Sequence, residues 1–185
     1  MDFSNLLYVD KHWTLFLDRD GVINKRIMNG YVTTVEEFEF NPLATDAFAL
    51  FKTFFDRVLV VTNQQGVGKE IMTEGNLLDV HAYMHERIKL AGGKLDRVYF
   101  STDLKSKENN TRKPNPAMAM QAKKDFPEID FSKSIMVGDT DSDLMFGKNL
   151  GMKTVAIRTE EKLTVEADYH FNSLFEFATH IVREQ

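Results

Sequence analysis

Two aspartates one residue apart, Asp18 and Asp20, close the apolar run Thr14-Leu15-Phe16-Leu17 and are followed by Gly21. A run of strand formers that stops at Asp-x-Asp delivers two carboxylates to the edge of a sheet. One can act as a nucleophile or metal ligand, and its neighbour is near enough to move a proton. The chemistry that uses such a pair is phosphoryl transfer through an aspartyl-phosphate. The plain alternative is a pair of solvated turn residues, because Asp-Gly is a common turn dipeptide.

Three other strings carry matching chemistry. In Thr62-Asn63-Gln64-Gln65-Gly66-Val67-Gly68 a hydroxyl and successive loop amides can donate to phosphate oxygens. A nucleotide P-loop is excluded there: Glu70 follows Lys69 where Ser or Thr belongs, and Asn63 stands in place of the first glycine. Within Arg112-Lys113-Pro114-Asn115-Pro116, Lys113 can set a positive point charge beside a phosphoryl group. In Ile135-Met136-Val137-Gly138-Asp139-Thr140-Asp141-Ser142-Asp143, Asp139 can ligate a hard divalent cation while Asp143 buttresses the loop. An EF-hand is rejected, since Leu144 and Leu150 occupy its glycine and glutamate positions. His81 and His85 stand one helical turn apart, but Ala82 replaces the glutamate of a zinc-protease helix, so they are read as structural.

The elements that must position these residues follow from periodicity. Strands are expected at Trp13 to Leu17, Val58 to Val61, Val98 to Phe100, Ile135 to Val137 and Thr154 to Ile157, with Tyr169 to Phe171 a weaker sixth. Helices are expected over Leu43 to Phe55, Gly75 to Ala91, Pro116 to Phe126, Asp141 to Leu150 and Ser173 to Arg183. Strands alternating with helices predict an α/β, three-layer Rossmann-like sandwich with a mostly parallel central sheet. Ligands of such sheets bind beyond the C-terminal strand ends, where Asp18 and Asp20, Thr62-Asn63-Gln64, Ser101-Thr102-Asp103 and Gly138-Asp139 fall, while Arg112-Lys113-Pro114 precedes a helix. The long connections 25–41 and 103–115 leave that edge, so the cap is expected to be minimal and made of loops.

Composition narrows the rest. The 185 residues suit one domain, 1–185, with 43% hydrophobic and 28% charged residues in the ordinary globular range. No run approaches the ~20 apolar residues of a membrane span. Met1 to Asn5 lacks the basic start of a signal peptide, and a chain without cysteine fits the cytoplasm. The phenylalanines and methionines are expected in the core. A net charge of −5 without a basic stripe argues against nucleic acid as a partner. It also requires a cation between a phosphate ester and the aspartates.

In order, these strings resemble the haloacid dehalogenase superfamily of aspartate-nucleophile phosphatases, from Phe16 to Ile157. Asp18-Arg19-Asp20-Gly21-Val22-Ile23-Asn24, Gly30-Tyr31-Val32, Thr62-Asn63-Gln64 and Arg112-Lys113-Pro114 look like its histidinol-phosphate and heptose-bisphosphate phosphatase branch. The resemblance implies that Asp18 attacks phosphorus and that Asp20 protonates the leaving alcohol, then activates water. It implies one Mg2+ on the Asp18 carboxylate, the Asp20 backbone carbonyl and Asp139. Thr62 and Lys113 would hold the transferring group, and Asn63, Gln64 and Arg112 would seat a small phosphorylated metabolite. Many members of this branch carry zinc-binding cysteines before Arg-Lys-Pro. Residues 102–111 here have neither cysteine nor histidine, so no zinc is expected and the loop must be ordered otherwise or stay mobile. Histidinol phosphate, a heptose bisphosphate and other sugar phosphates remain open at this point. So do a receiver-like phospho-switch and a nucleic-acid 3′-end phosphatase. Nothing in the sequence requires more than a monomer.

Overall fold

The computed structural model describes residues 9–183; Met1 to Asn5, read above for a leader, lie outside them. The described chain forms β1 (Thr14–Leu17), α1 (Ala44–Phe54), β2 (Arg57–Asn63), a single-turn α2 (Gln65–Gly68), α3 (Glu74–Leu90) and β3 (Arg97–Ser101). It continues through α4 (Ala117–Asp125), a 3-10 turn (Phe131–Lys133), β4 (Ser134–Gly138), α5 (Asp141–Asn149), β5 (Lys153–Ile157), β6 (Tyr169–Phe171) and α6 (Leu174–Arg183).

Six strands make one sheet in the order β3-β2-β1-β4-β5-β6, and every pairing is parallel. The sheet is thus wholly rather than mostly parallel, as strands covered by helices on both faces should be. Strand β1 is central, with Leu17 opposite Val60 on one side and Val137 on the other. After β1 the chain winds outward through β2 and β3, then returns to β1's other side as β4. That reversal is the switch point at which α/β sheets open a crevice.

Alternation along the strands sorts side chains into two cores. Leu15, Leu17, Val58, Val60, Ile135 and Val137 pack with Phe48 and Phe51 of α1, Val80 and Met84 of α3, and Phe177 and Ile181 of α6. Phe16, Leu59, Val61 and Met136 point the other way, against Met118 and Ala122 of α4 and Phe146 of α5. Each fully buried side chain of this size contributes roughly 1.5–3 kcal/mol, so β1, buried along its whole length, is anchored from both faces.

Helix ends follow local chemistry. Thr73 and Asn76 form a reciprocal capping box, so α3 starts one residue before the expected Gly75. Pro116 takes the N-cap of α4 rather than its first helical turn. Periodicity did not suggest α2, which is only four residues long.

Candidate active site

Asp18 follows β1 directly and its amide donates to the Val137 carbonyl at 2.9 Å, so the β-ladder itself sets its position. Asp139 follows β4, the strand beside it. Carboxylate oxygens of Asp18, Asp139 and Asp143 lie within 4.8 Å of one another, and all three residues are buried. Burial pushes Asp18 up to about 6 against the pull of Lys113, and burial with Asp18 and Asp143 pushes Asp139 up to about 8. These three buried carboxylates outnumber the two cations that touch them, Lys113 and Arg26, and their oxygens are the donors a hard divalent ion takes. The aspartates therefore fit magnesium. Gly21 belongs to the same cradle: a Cβ there would stand 2.1 Å from Asp139 Oδ2, and its φ of +93° disfavours any side chain.

Lys113 supplies one cation. Its Nζ lies 2.7 Å from Asp18 Oδ1 and 2.6 Å from Asp143 Oδ1, and donates to the Val61 carbonyl at 2.6 Å. Asp143 has a second task. Its Oδ2 accepts from the Thr140 amide at 3.1 Å and the Thr140 hydroxyl at 2.7 Å, capping α5. The buttress expected from sequence is thus also a partner of Lys113.

Asp20 sits in a different field. Both its carboxylate oxygens accept from Arg19 Nη2 at 3.0 Å, Oδ1 accepts from Asn24 Nδ2 at 2.9 Å, and Oδ2 from Gln64 Nε2 at 2.8 Å. Burial would raise this group, but Arg19, Asn24 and Gln64 outweigh it and hold the carboxyl below the ordinary range. Arg19 is fully buried and donates from Nη1 to His81 Nε2 across 3.1 Å. A guanidinium only donates, so His81 accepts at Nε2 and is neutral. Burial, then Arg19, press its pKa down to about 3.

A pocket of ≈550 Å³ opens above these groups, lined by Asp18, Asp20, Thr62, Asn63, Lys113 and Arg112, and by residues 26–32 of the first long loop. That loop is closed at its base, where the Lys25 amide donates to the Glu39 carbonyl at 2.8 Å. It forms the cap the sequence reading asked of loops alone. The second loop is ordered by Asp103 in place of cysteines. Its Oδ2 accepts from the amide and the hydroxyl of Thr111, each at 2.8 Å, and Lys107 Nζ lies 2.5 Å from Oδ1.

The structure gathers Asp18, Asp20, Asp139, Thr62 and Lys113 at one rim. Thr62 Oγ1 accepts from Gln64 Nε2 at 2.9 Å, which leaves its O–H to donate into the pocket. Gln64 is buried behind Asp20, and its amide is committed to Asp20 and Thr62 rather than to the cavity. Asn63 faces the pocket but exchanges two hydrogen bonds with the Lys113 backbone, at 2.9 and 3.3 Å. Arg112 lines the pocket and donates from Nη1 to the Asp103 carbonyl at 3.3 Å. Sequence reasoning missed Arg19, Asn24, Arg26 and His81 as members. Arg19 had one visible signal, a cation between two aspartates; Arg26 had none, because only the loop's path brings it to Asp139.

Fold and site together define a doubly wound α/β protein with an aspartate-centred rim at its switch point. A family model described as "HAD-hyrolase-like" matches residues 110–178. The chain is 32% identical over 170 residues to D-glycero-alpha-D-manno-heptose-1,7-bisphosphate 7-phosphatase of Mycobacterium bovis, covering 90% of each chain. It is 35% identical over 150 residues to the D-glycero-beta-D-manno-heptose-1,7-bisphosphate 7-phosphatase of Helicobacter pylori, with 80% of this chain and 84% of that one covered. In fold it matches the D,D-heptose 1,7-bisphosphate phosphatase of B. bronchiseptica, a structure complexed with magnesium and phosphate. There the TM-score is 0.83 at 24% identity, with 93% of this chain and 99% of that chain covered. The chain belongs to the haloacid dehalogenase-like phosphatases, in the branch that contains these heptose bisphosphatases. Among the described residues no helix is long and apolar enough to cross a membrane.

Proposed function

We propose that this chain hydrolyses the 7-phosphate of a D-glycero-D-manno-heptose 1,7-bisphosphate, with Asp18 as nucleophile and Asp20 as acid and base. The observation that carries the reading is the opposite electrostatic setting of two aspartates one residue apart, on a rim that also holds Asp139, Thr62 and Lys113. An Asp18 oxygen attacks phosphorus while Thr62 and Lys113 hold the phosphoryl oxygens. Asp20 gives a proton to the leaving sugar oxygen and then takes one from the water that opens the aspartyl-phosphate. Its partners favour the ionised form suited to the second step, and the arriving phosphate anion raises its proton affinity for the first. The Asp18 carboxylate, the Asp20 carbonyl and Asp139 would hold Mg2+, whose charge, when bound, offsets the repulsion between carboxylates and phosphate.

Substrate identity leans on the relatives and on the spread of positive charge. Buried Lys113, half-buried Arg112 and exposed Lys69 all line the pocket. A bisphosphate offers one anion to each group. The reading takes 1–185 as one hydrolase domain and needs one copy of the chain per site. It is tested by phosphate release with magnesium from both anomers of the heptose bisphosphate, histidinol phosphate, other sugar phosphates, nucleotides and 3′-phosphorylated DNA ends. One heptose anomer is expected to lead in kcat/KM by at least about tenfold. Preference for a nucleotide or a DNA end, or stable phosphorylation without turnover, overturns the reading.

A further inference from the structure

Arg26 belongs to the loop after β1, yet its guanidinium reaches the rim. Its Nη2 donates to Asp139 Oδ1 at 2.8 Å and to the Asp20 carbonyl at 3.0 Å. Asp139 and the Asp20 carbonyl are two of the three groups assigned above to magnesium. A magnesium ion bonds its oxygens at about 2.1 Å, so an ion on this pair and the guanidinium nitrogen claim the same space. Two cations there would also repel. Nη1 lies 3.5 Å from Glu161 Oε1 on the loop after β5, and Nε is buried without an acceptor among the described residues. A buried N–H without a partner is a cost that an arriving anion would remove. The guanidinium also lines the pocket in which a phosphate ester must sit.

From this geometry we propose that Arg26 is an exchangeable internal counter-ion. In the free protein it holds the Asp139 and Asp20 groups that the metal would take; when magnesium enters, it moves onto the substrate's phosphate. The backbone need not move, because the amide of its neighbour Lys25 is tied to the Glu39 carbonyl and rotation of a long side chain suffices. Metal and substrate binding are thereby coupled through one residue: the ion releases the cation that the ester then uses. The proposal rests on the metal ligands named under the proposed function.

The test uses the full chain and two probes, magnesium chloride alone and inorganic phosphate with saturating magnesium, each titrated calorimetrically. Arg26→Gln removes the competing cation. It is expected to bind magnesium at least about fivefold more tightly than the unaltered protein, and phosphate about tenfold more weakly. A residue that merely supported the site would weaken metal binding when replaced. Arg26→Lys keeps the charge but not the planar fork, so it is expected to fall between the two. It carries the same test should the glutamine variant not fold. Magnesium affinity unchanged or weaker in the altered chain overturns the proposal, as does unaltered phosphate affinity. Asp139→Asn separates this from the reading beneath it: if that variant binds magnesium as well as the parent, the ligand assignment itself falls.

Discussion

Two aspartate-centred regions of this molecule are built in opposite ways. At the β1–β4 rim, Asp18, Asp139 and Asp143 are buried facing one another, and burial with mutual repulsion raises Asp18 and Asp139. In the loop after β3, Asp103 is ringed by donors. Its bond to Lys107 and its bonds to the amide and hydroxyl of Thr111 bring its carboxyl down to about 2. The first arrangement sets three carboxylates against two cations, Lys113 and Arg26, where chemistry can use the excess. The second satisfies the charge on the spot and uses it to hold a loop. At the rim the acids outnumber the cations that touch them, whereas in the loop a single acid is matched by its donors.

Experiments that sharpen this contrast fall in order of expected effect. Asp18→Asn removes the attacking oxygen at the rim, and phosphate release is expected to drop by at least about 10³-fold; a rate near that of the unaltered protein would break the contrast outright. Next comes stability against pH, where the two regions carry opposite signs. Asp18 and Asp139 hold protons in the folded chain at pH values where an unfolded carboxyl, near 3.8, has lost them. With magnesium chelated, their contribution is therefore fully present below about pH 4 and is lost as pH rises through about 6 and about 8. Melting temperatures in chelator are expected to fall between pH 5 and pH 8, and the gap to samples with excess magnesium to widen. A flat profile would mean that the rim's charge is already neutralised.

Asp103 works the other way. Its folded value of about 2 lies below 3.8, so its contribution is present above the unfolded value and is lost as pH falls toward about 2. The smallest effect is expected from Asp103→Asn. Arg112 donates to the Asp103 carbonyl, so a loosened loop is expected to raise KM about threefold with kcat nearly unchanged. A collapse of kcat would show that the loop reaches the reacting atoms.

The layered fold was legible because each strand is a short run of β-branched or aromatic residues and each helix keeps a three-to-four spacing. Even the weak segment Tyr169–Phe171 takes its place as β6, at the edge opposite β3. The short helix α2 was not legible. Four residues give no period to read, and its glycines signal a turn. At the site, Asp18, Asp20, Thr62, Lys113 and Asp139 could be found because each follows a strand end or enters a helix. Gln64 could be found as a member but not in its placement: it faces Asp20 and Thr62, since the chain enters α2 immediately after it.

What the amino-acid order determined alone was the parallel α/β plan, the five polar groups at one edge and the need for positive charge among the aspartates. These depend on periods of two and 3.6 and on residue type, which are local properties. Tertiary structure alone decided the direction of each aspartate's proton affinity and the meeting of Arg19 with His81. It also decided the reach of Arg26 across 113 positions of chain to Asp139. Burial and distance set those terms, and both depend on which distant segments the fold brings together.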